Sequence, residues 1–241
     1  MKDYKNDLFA KYSETHVAFL DSDDASKLSW FDNYSARYYL KFIKNYNNDA
    51  KILEIGCNKG YLLKVLSQRG YKNLSGIDLS GVDLETAKRL NPEADIQLAD
   101  ANEYLLKNVG KFDVIIIKAV LEHVNKDMVI PLLHKMNDAL RPGGVVIIDV
   151  PNMDWFFANH ERYIDFTHEV GFTKESLSQI MRTVFSKIDM ITADNIISNS
   201  FTLTLRKKFS RFILGKLLSW ADPEGGNNPI WDRSLIGVGM K

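Results

Sequence analysis

The feature that most constrains this chain is the regular alternation, from Lys51 onward, of short β-branched runs with helical patterns. Alternation of this kind builds parallel strands joined by helical crossovers. Ile52–Ile55, Leu74–Ile77, Ile96–Leu98, Phe112–Ile117 and Val145–Val150 are the first five strands, and several are apolar throughout, as strands covered on both faces must be. Helices are predicted at Gly60–Arg69, Gly81–Leu90, Ala101–Lys107 and Lys126–Leu140, the last running into the turn Arg141-Pro142-Gly143-Gly144. A sixth strand near Lys187–Thr192 and a last at Ser234–Met240 complete a seven-stranded, mostly parallel, doubly wound α/β sheet. Ahead of it, Trp30, Phe31, Tyr34, Tyr38, Tyr39 and Phe42 recur at helical spacing within Leu28–Tyr46, which predicts a packed cover helix rather than an aromatic cofactor box.

A chain of 241 residues, 45% of them hydrophobic, can bury one substantial core, so a single domain is expected. Its parts are a helical cover (1–50), the core sheet (51–192), an insertion (193–232) and the last strand (233–241). Lysine plus arginine equals aspartate plus glutamate at 31 each, which removes the broad field that draws proteins to nucleic acid. A small-molecule partner is expected instead. The lone cysteine, Cys57, excludes an internal disulfide and fits a reducing, cytoplasmic setting. The opening MKDYKNDLFAKYSETH lacks an apolar signal core, and no stretch approaches the roughly 20 apolar residues of a membrane span.

Within the insertion, Thr202–Trp220 carries Arg206, Lys207, Lys208, Arg211 and Lys216 among apolar residues and no acid. It reads as a basic amphipathic helix that covers the sheet, meets a second subunit to make a homodimer, or lies on an anionic surface. The segment from Asp222 to Pro229 reads as a surface loop.

The sharpest local signal is ILEIGCNKGYLLKVL, where a strand ends near Glu54, a turn spans Gly56 to Gly60 and an amphipathic helix starts at once. Glycine there lets backbone N–H groups approach a ligand at a helix N-terminus. A dinucleotide fingerprint would need glycines at 56, 58 and 61, where this chain has Gly56, Asn58 and Tyr61. Asparagine at 58 is among the few residues that tolerate positive φ. Asp78 ends the second strand, placed for a bidentate grip on two ribose hydroxyls, and Asp100 and Ala101 follow the third. Either aspartate is equally suited to capping a helix.

Gly56 and Gly60, with a carboxylate two residues before the first, resemble the first motif of class I S-adenosylmethionine-dependent methyltransferases. FDVIIIKAVLEHV and LRPGGVVIIDVPN resemble that family's fourth-strand and fifth-strand segments. The resemblance, from Ile52 to about Met190, implies a Rossmann-like sheet with an N-terminal helical cover and a late helical insertion. It also implies S-adenosyl-L-methionine as cofactor, with Glu54 near the methionine amino group, Gly56 and Gly60 at its carboxylate and backbone, Asp78 on ribose, Asp100 with Ala101 at adenine, and Asn58 and Leu79 as further cofactor-binding residues. It implies no metal, and the sequence has no H-x-x-x-H or H-x-H cluster.

In a doubly wound sheet the acceptor enters at the carboxyl ends of the strands, which singles out Lys118–His123 and the segment after Val150. That segment holds His160, Glu161, Arg162, Tyr163, Asp165, His168 and Glu169. A histidine beside a carboxylate can take a proton from a hydroxyl at neutral pH. His168 is the first candidate base, with Asp165 or Glu169 to orient it, and His123 is the second. The alternatives are that His168 and Glu169 cap a helix starting at Thr173 and that His123 pins its own helix. Lys118 at a strand tip, Arg162, Tyr163, His160 and Glu169 are candidate cofactor or substrate contacts, the two cations for a phosphate or carboxylate. The pattern from Tyr163 to Leu177, YIDFTHEVGFTKESL, resembles a bacterial subset tied to capsule and other surface-polysaccharide pathways, and so implies a sugar or phosphorylated acceptor. An N- or C-methyltransferase, or a partner protein that holds the cofactor without turnover, are the rival readings.

Overall fold

The computed structural model describes residues 8–9, 24–194, 201–221 and 231–241, and the loop expected from Asp222 to Pro229 lies outside them. The strands are β1 (Lys51–Ile55), β2 (Asn73–Asp78), β3 (Asp95–Leu98), β4 (Phe112–Lys118), β5 (Leu140–Pro151), β6 (Lys187–Ala193) and β7 (Ser234–Met240). They form one seven-stranded sheet in the order β3-β2-β1-β4-β5-β7-β6, parallel except where β7 runs antiparallel to both neighbours.

The apolar strands are central, as their composition requires. Val114, Ile115, Ile116 and Ile117 of β4 are fully buried, and alternate residues enter opposite layers. Ile115 and Ile117 join Leu53, Ile55, Leu133 and Met136, whereas Val114 and Ile116 join Ile52, Leu62, Tyr34 and Tyr39. The helices supplying these layers are α1 (Asp24–Tyr38), α2 (Leu40–Ile43), α3 (Tyr61–Gln68), α4 (Gly81–Leu90), α5 (Ala101–Leu106), α6 (Lys126–Ala139) and α8 (Lys174–Arg182); α7 (Ala158–Tyr163), α9 (Phe201–Ala221) and a 3-10 turn at Leu121–His123 are further helical elements among the described residues.

Two elements differ from their predicted form. The cover helix is divided at Tyr39 into α1 and α2, because the ring and hydroxyl of Tyr39 turn inward: the hydroxyl donates to the buried Asp149 at 2.5 Å, alongside that of Tyr34 at 2.8 Å. β5 starts at Leu140 rather than Val145. Its register jumps from Phe112↔Leu140 to Val114↔Val145, so the expected Arg-Pro-Gly-Gly turn survives as a bulge inside the strand, with Gly143 at φ 76°. The insertion helix α9 forms where it is expected, and of its three alternative placements a cover over the sheet is the one its described side chains do not fit. Leu205, Phe209, Phe212 and Trp220 are exposed, and the helix is held through Lys207 and Arg211, which meet Asp194 at 2.9 and 3.1 Å. No helix among the described residues is long and apolar enough to cross a membrane.

Strand order reverses direction between β1 and β4, and the crevice that this leaves at their carboxyl ends is where an open α/β sheet takes its ligand.

Candidate active site

A cavity of about 570 Å³ occupies that crevice. One half is built by the ends of β1, β2 and β3. Gly56 and Gly60 both adopt φ 74°, and Asn58 between them sits at φ 45°, so the turn needs residues that accept the left-handed region at three positions. A Cβ on Gly56 would lie 2.2 Å from Cγ2 of Val120, which shows how closely the β1 turn approaches the segment after β4. Asp78 ties this turn to β2: its two carboxylate oxygens accept the backbone N–H groups of Asn58 and Ser80, each at 2.8 Å. That leaves the carboxylate oriented, with lone pairs in the cavity it lines. Burial raises its pKa, against these hydrogen bonds.

Glu54, Leu79, Asp100 and Ala101 line the same space. Glu54 is buried with Oε2 lacking a hydrogen-bond partner, and burial, reinforced by Asp78, holds its pKa well above the ordinary carboxylate range. A buried carboxyl oxygen without a donor calls for a cationic or N–H ligand group. Asp100 caps α5 through Oδ1, accepting from Asn102 and Glu103 at 2.9 and 3.2 Å. The cap and a ligand contact through Oδ2 are compatible. Cys57 is buried in the turn and its thiol is pushed up by burial, so it serves as filler rather than nucleophile.

The other half of the cavity is lined by Lys118, Glu122, His123, Glu161, Ile164, His168 and Arg233. The 3-10 turn Leu121–His123 is fastened to the loop after α7 by its own backbone: the carbonyl of Glu122 accepts N–H groups from Glu169 at 2.8 Å and Val170 at 3.1 Å. This brings the rings of His123 and His168 to 4.7 Å between centroids. His168 Nδ1 is 2.9 Å from the backbone carbonyl of Glu161, which can only accept, so Nδ1 carries the hydrogen and Nε2 is the basic nitrogen. His123 Nδ1 is 2.7 Å from Thr167 Oγ1, whose hydroxyl donates to Asp165 Oδ1 at 2.7 Å, so here too Nδ1 donates and Nε2 is basic. Glu122 lies between them, buried, with Oε2 unpartnered, and burial pushes its pKa up to about 8. One ligand atom from each of Glu122, His123 and His168 lies within 4.8 Å of the others.

The chain matches the family described as Methyltransferase domain over residues 25–184. The chain belongs to that family. Its resemblance to the ubiquinone biosynthesis O-methyltransferase of Colwellia psychrerythraea is 31% identity over 113 residues, 45% of this chain and 45% of the relative. The malonyl-[acyl-carrier protein] O-methyltransferase of Priestia megaterium is 24% identical over 184 residues, 71% of this chain and 64% of that one. The chain thus spans about half the length of the ubiquinone biosynthesis relatives it matches. Among solved structures, the plantazolicin methyltransferase BamL, in complex with a triazolic desmethylPZN analogue and SAH, superposes with TM-score 0.62 at 18% identity, covering 98% of this chain and 96% of that one, which shows the shared fold. S-adenosyl-L-methionine is the cofactor of the domain, and the orphaned Glu54 oxygen, the Gly56 turn and the oriented Asp78 fit its amino group, its amino-acid tail and its ribose.

The methyltransferase domain places several sequence-predicted residues elsewhere than expected. Arg162 points back into its own loop, donating to the carbonyls of His168 at 2.6 Å and Glu169 at 3.1 Å, so it shapes the loop instead of awaiting a phosphate. Lys118 lines the cavity, but its ammonium pairs with Asp149 at 3.2 Å and sits 4.7 Å from the Tyr34 ring, which anchors the cover helix to β4 and β5. Tyr163, His160 and Glu169 are exposed and outside the cavity wall. Asp165 orients His123 through Thr167, not His168. Thr173 with Ser176 caps α8 by itself, so His168 is not spent as a cap.

Thr167, Glu122 and Arg233, which pairs with Glu161 at 2.5 Å, are the residues that sequence reasoning passed over. Only Thr167 had a local signature: an Asp two residues before a Thr forms a side-chain-to-backbone turn, seen here as Asp165 Oδ1 accepting the Thr167 N–H at 2.8 Å.

Proposed function

We propose that this methyltransferase domain moves a methyl group from S-adenosyl-L-methionine to a hydroxyl oxygen of a small acceptor, and that His168, with His123 beside it, activates that hydroxyl. The observation that carries the reading is the fixed tautomer of His168: its Nδ1–H is spent on the Glu161 carbonyl, which leaves Nε2 basic in a cavity shared with Gly56, Asp78 and Glu54. Bound there, the cofactor supplies an electrophilic methyl and leaves as S-adenosylhomocysteine. The chain's own residues align the acceptor and lower the cost of removing its proton.

A sugar or phosphorylated intermediate of a surface polysaccharide is the acceptor class suggested by the pattern from Tyr163 to Leu177. Release of S-adenosylhomocysteine should therefore be measured across sugar nucleotides, phosphorylated sugars, phenols and carboxylic acids. Turnover with one hydroxylated class and a drop of about 10²–10⁴-fold in kcat for His168→Ala, with cofactor affinity kept, is the expected outcome. Undiminished turnover of His168→Ala on the best acceptor would remove His168 from the chemistry.

A further inference from the structure

We infer that Glu122, His123 and His168 form a binding site for one divalent transition-metal ion of borderline softness, open to the acceptor half of the cavity. The ligand set comes from two separate segments: Glu122 and His123 sit on the 3-10 turn after β4, and His168 is delivered by the loop that Glu169 and Val170 fasten to the Glu122 carbonyl. Two imidazoles and one carboxylate are a ligand set that suits such an ion and leaves coordination positions open.

Three further observations point the same way. Both histidines have Nδ1–H committed, His168 to the Glu161 carbonyl and His123 to Thr167 backed by Asp165, which are the outer hydrogen bonds that fix an imidazole to ligate through Nε2. The Oε2 atom of Glu122 is buried with no hydrogen-bond partner, a state that a cation resolves. The three ligand atoms already lie within 4.8 Å of one another, and bonds of about 2.0–2.2 Å need them within roughly 4 Å, a contraction small enough for side-chain rotation.

The inference rests on the O-methyl-transfer reading and deepens it. The acceptor hydroxyl would occupy an open position on the ion, which raises its acidity so that its proton passes to water at the cavity mouth. The resulting oxyanion would form the O–CH₃ bond as the S–CH₃ bond of the donor breaks. In that state the two imidazoles hold the ion, and the ion does what a free His168 would do as a base. Acceptors able to offer the ion a second oxygen beside the reacting hydroxyl, such as a vicinal diol or a catechol, gain most.

The test uses the full chain, stripped with a chelator and titrated with Zn²⁺ by calorimetry and with Co²⁺ by visible absorption. Expected are one ion per chain and a loss of at least tenfold in affinity for both Glu122→Gln and His168→Ala, while both variants bind S-adenosylhomocysteine as wild type does. That last measurement shows that the variants are folded. Failure of wild type to bind either ion stoichiometrically, or wild-type affinity in both variants, overturns the site. If the stripped protein methylates its acceptor at full rate, the ion's role falls while the methyl-transfer reading stands. If neither stripped nor loaded protein binds S-adenosylhomocysteine, the methyl-transfer reading itself falls.

Discussion

Replacing Gly56 with alanine tests the cofactor turn most directly, because the structure separates two costs. The first is conformational: φ is 74° at this position, and an L side chain in the left-handed region costs about 1–2 kcal/mol. The second is steric: the new Cβ would lie 2.2 Å from Val120 Cγ2, and overpacking of that kind costs about 1–3 kcal/mol. The sum of roughly 2–5 kcal/mol is a large part of the 5–15 kcal/mol that holds a domain of ordinary stability. Urea unfolding followed by circular dichroism should show it, and calorimetry with S-adenosylhomocysteine should show affinity reduced at least tenfold as the turn is pushed off its path. Val120→Ala removes the methyl group that collides. The double variant should therefore recover about 1–3 kcal/mol relative to the sum of the single effects, leaving the backbone cost behind. Coupling below about 0.5 kcal/mol, or cofactor affinity within twofold of wild type in Gly56→Ala, would refute the account of this turn.

Asp78→Asn should weaken S-adenosylhomocysteine binding by roughly 10–100-fold in calorimetry, since a charge-assisted hydrogen bond is worth about 1.5–3 kcal/mol; unchanged affinity would move the ribose elsewhere. Tyr39→Phe removes one of three donors to the buried Asp149 and should destabilise the chain by about 1–3 kcal/mol in urea unfolding with cofactor affinity unchanged, because Asp149 serves the cover and not the cavity. Glu54 makes cofactor binding pH-dependent. Its folded pKa is raised by burial, so an arriving ammonium group lowers it and expels a proton; affinity should climb as pH rises through the raised value, and calorimetry in two buffers of different ionisation enthalpy should register proton release. In the unliganded chain the same raised pKa means that the folded state holds a proton the unfolded state has already lost. Its contribution to stability is therefore complete below the ordinary glutamate pKa and is lost as pH rises through the folded value, which pH-dependent unfolding of Glu54→Gln against wild type should show.

What the sequence made legible is what local chemistry decides. The run Val114–Ile117 could only be a strand covered on both faces, and the structure buries it fully. A positive φ at Asn58 followed from one of the few side chains besides glycine that suit such a turn, and it stands at 45°. Asp100 offered a cap and a ligand contact, and the cap uses Oδ1 alone, so the two were never exclusive. The acceptor side was not legible in this way, because its geometry depends on which distant groups a loop is tied to. Arg162 has the charge to bind a phosphate, yet it donates to two backbone carbonyls six and seven residues on. The spacing of His123 and His168 matches no metal-ligand motif, since what joins them is a pair of main-chain hydrogen bonds to the Glu122 carbonyl that leave no trace in side-chain identity. A functional centre assembled across segments by the backbone is invisible to a search for spacings, and it becomes visible in the unpartnered atoms: Glu54 Oε2 in one half of the cavity and Glu122 Oε2 in the other mark two places where this fold has left a buried carboxyl oxygen for something else to complete.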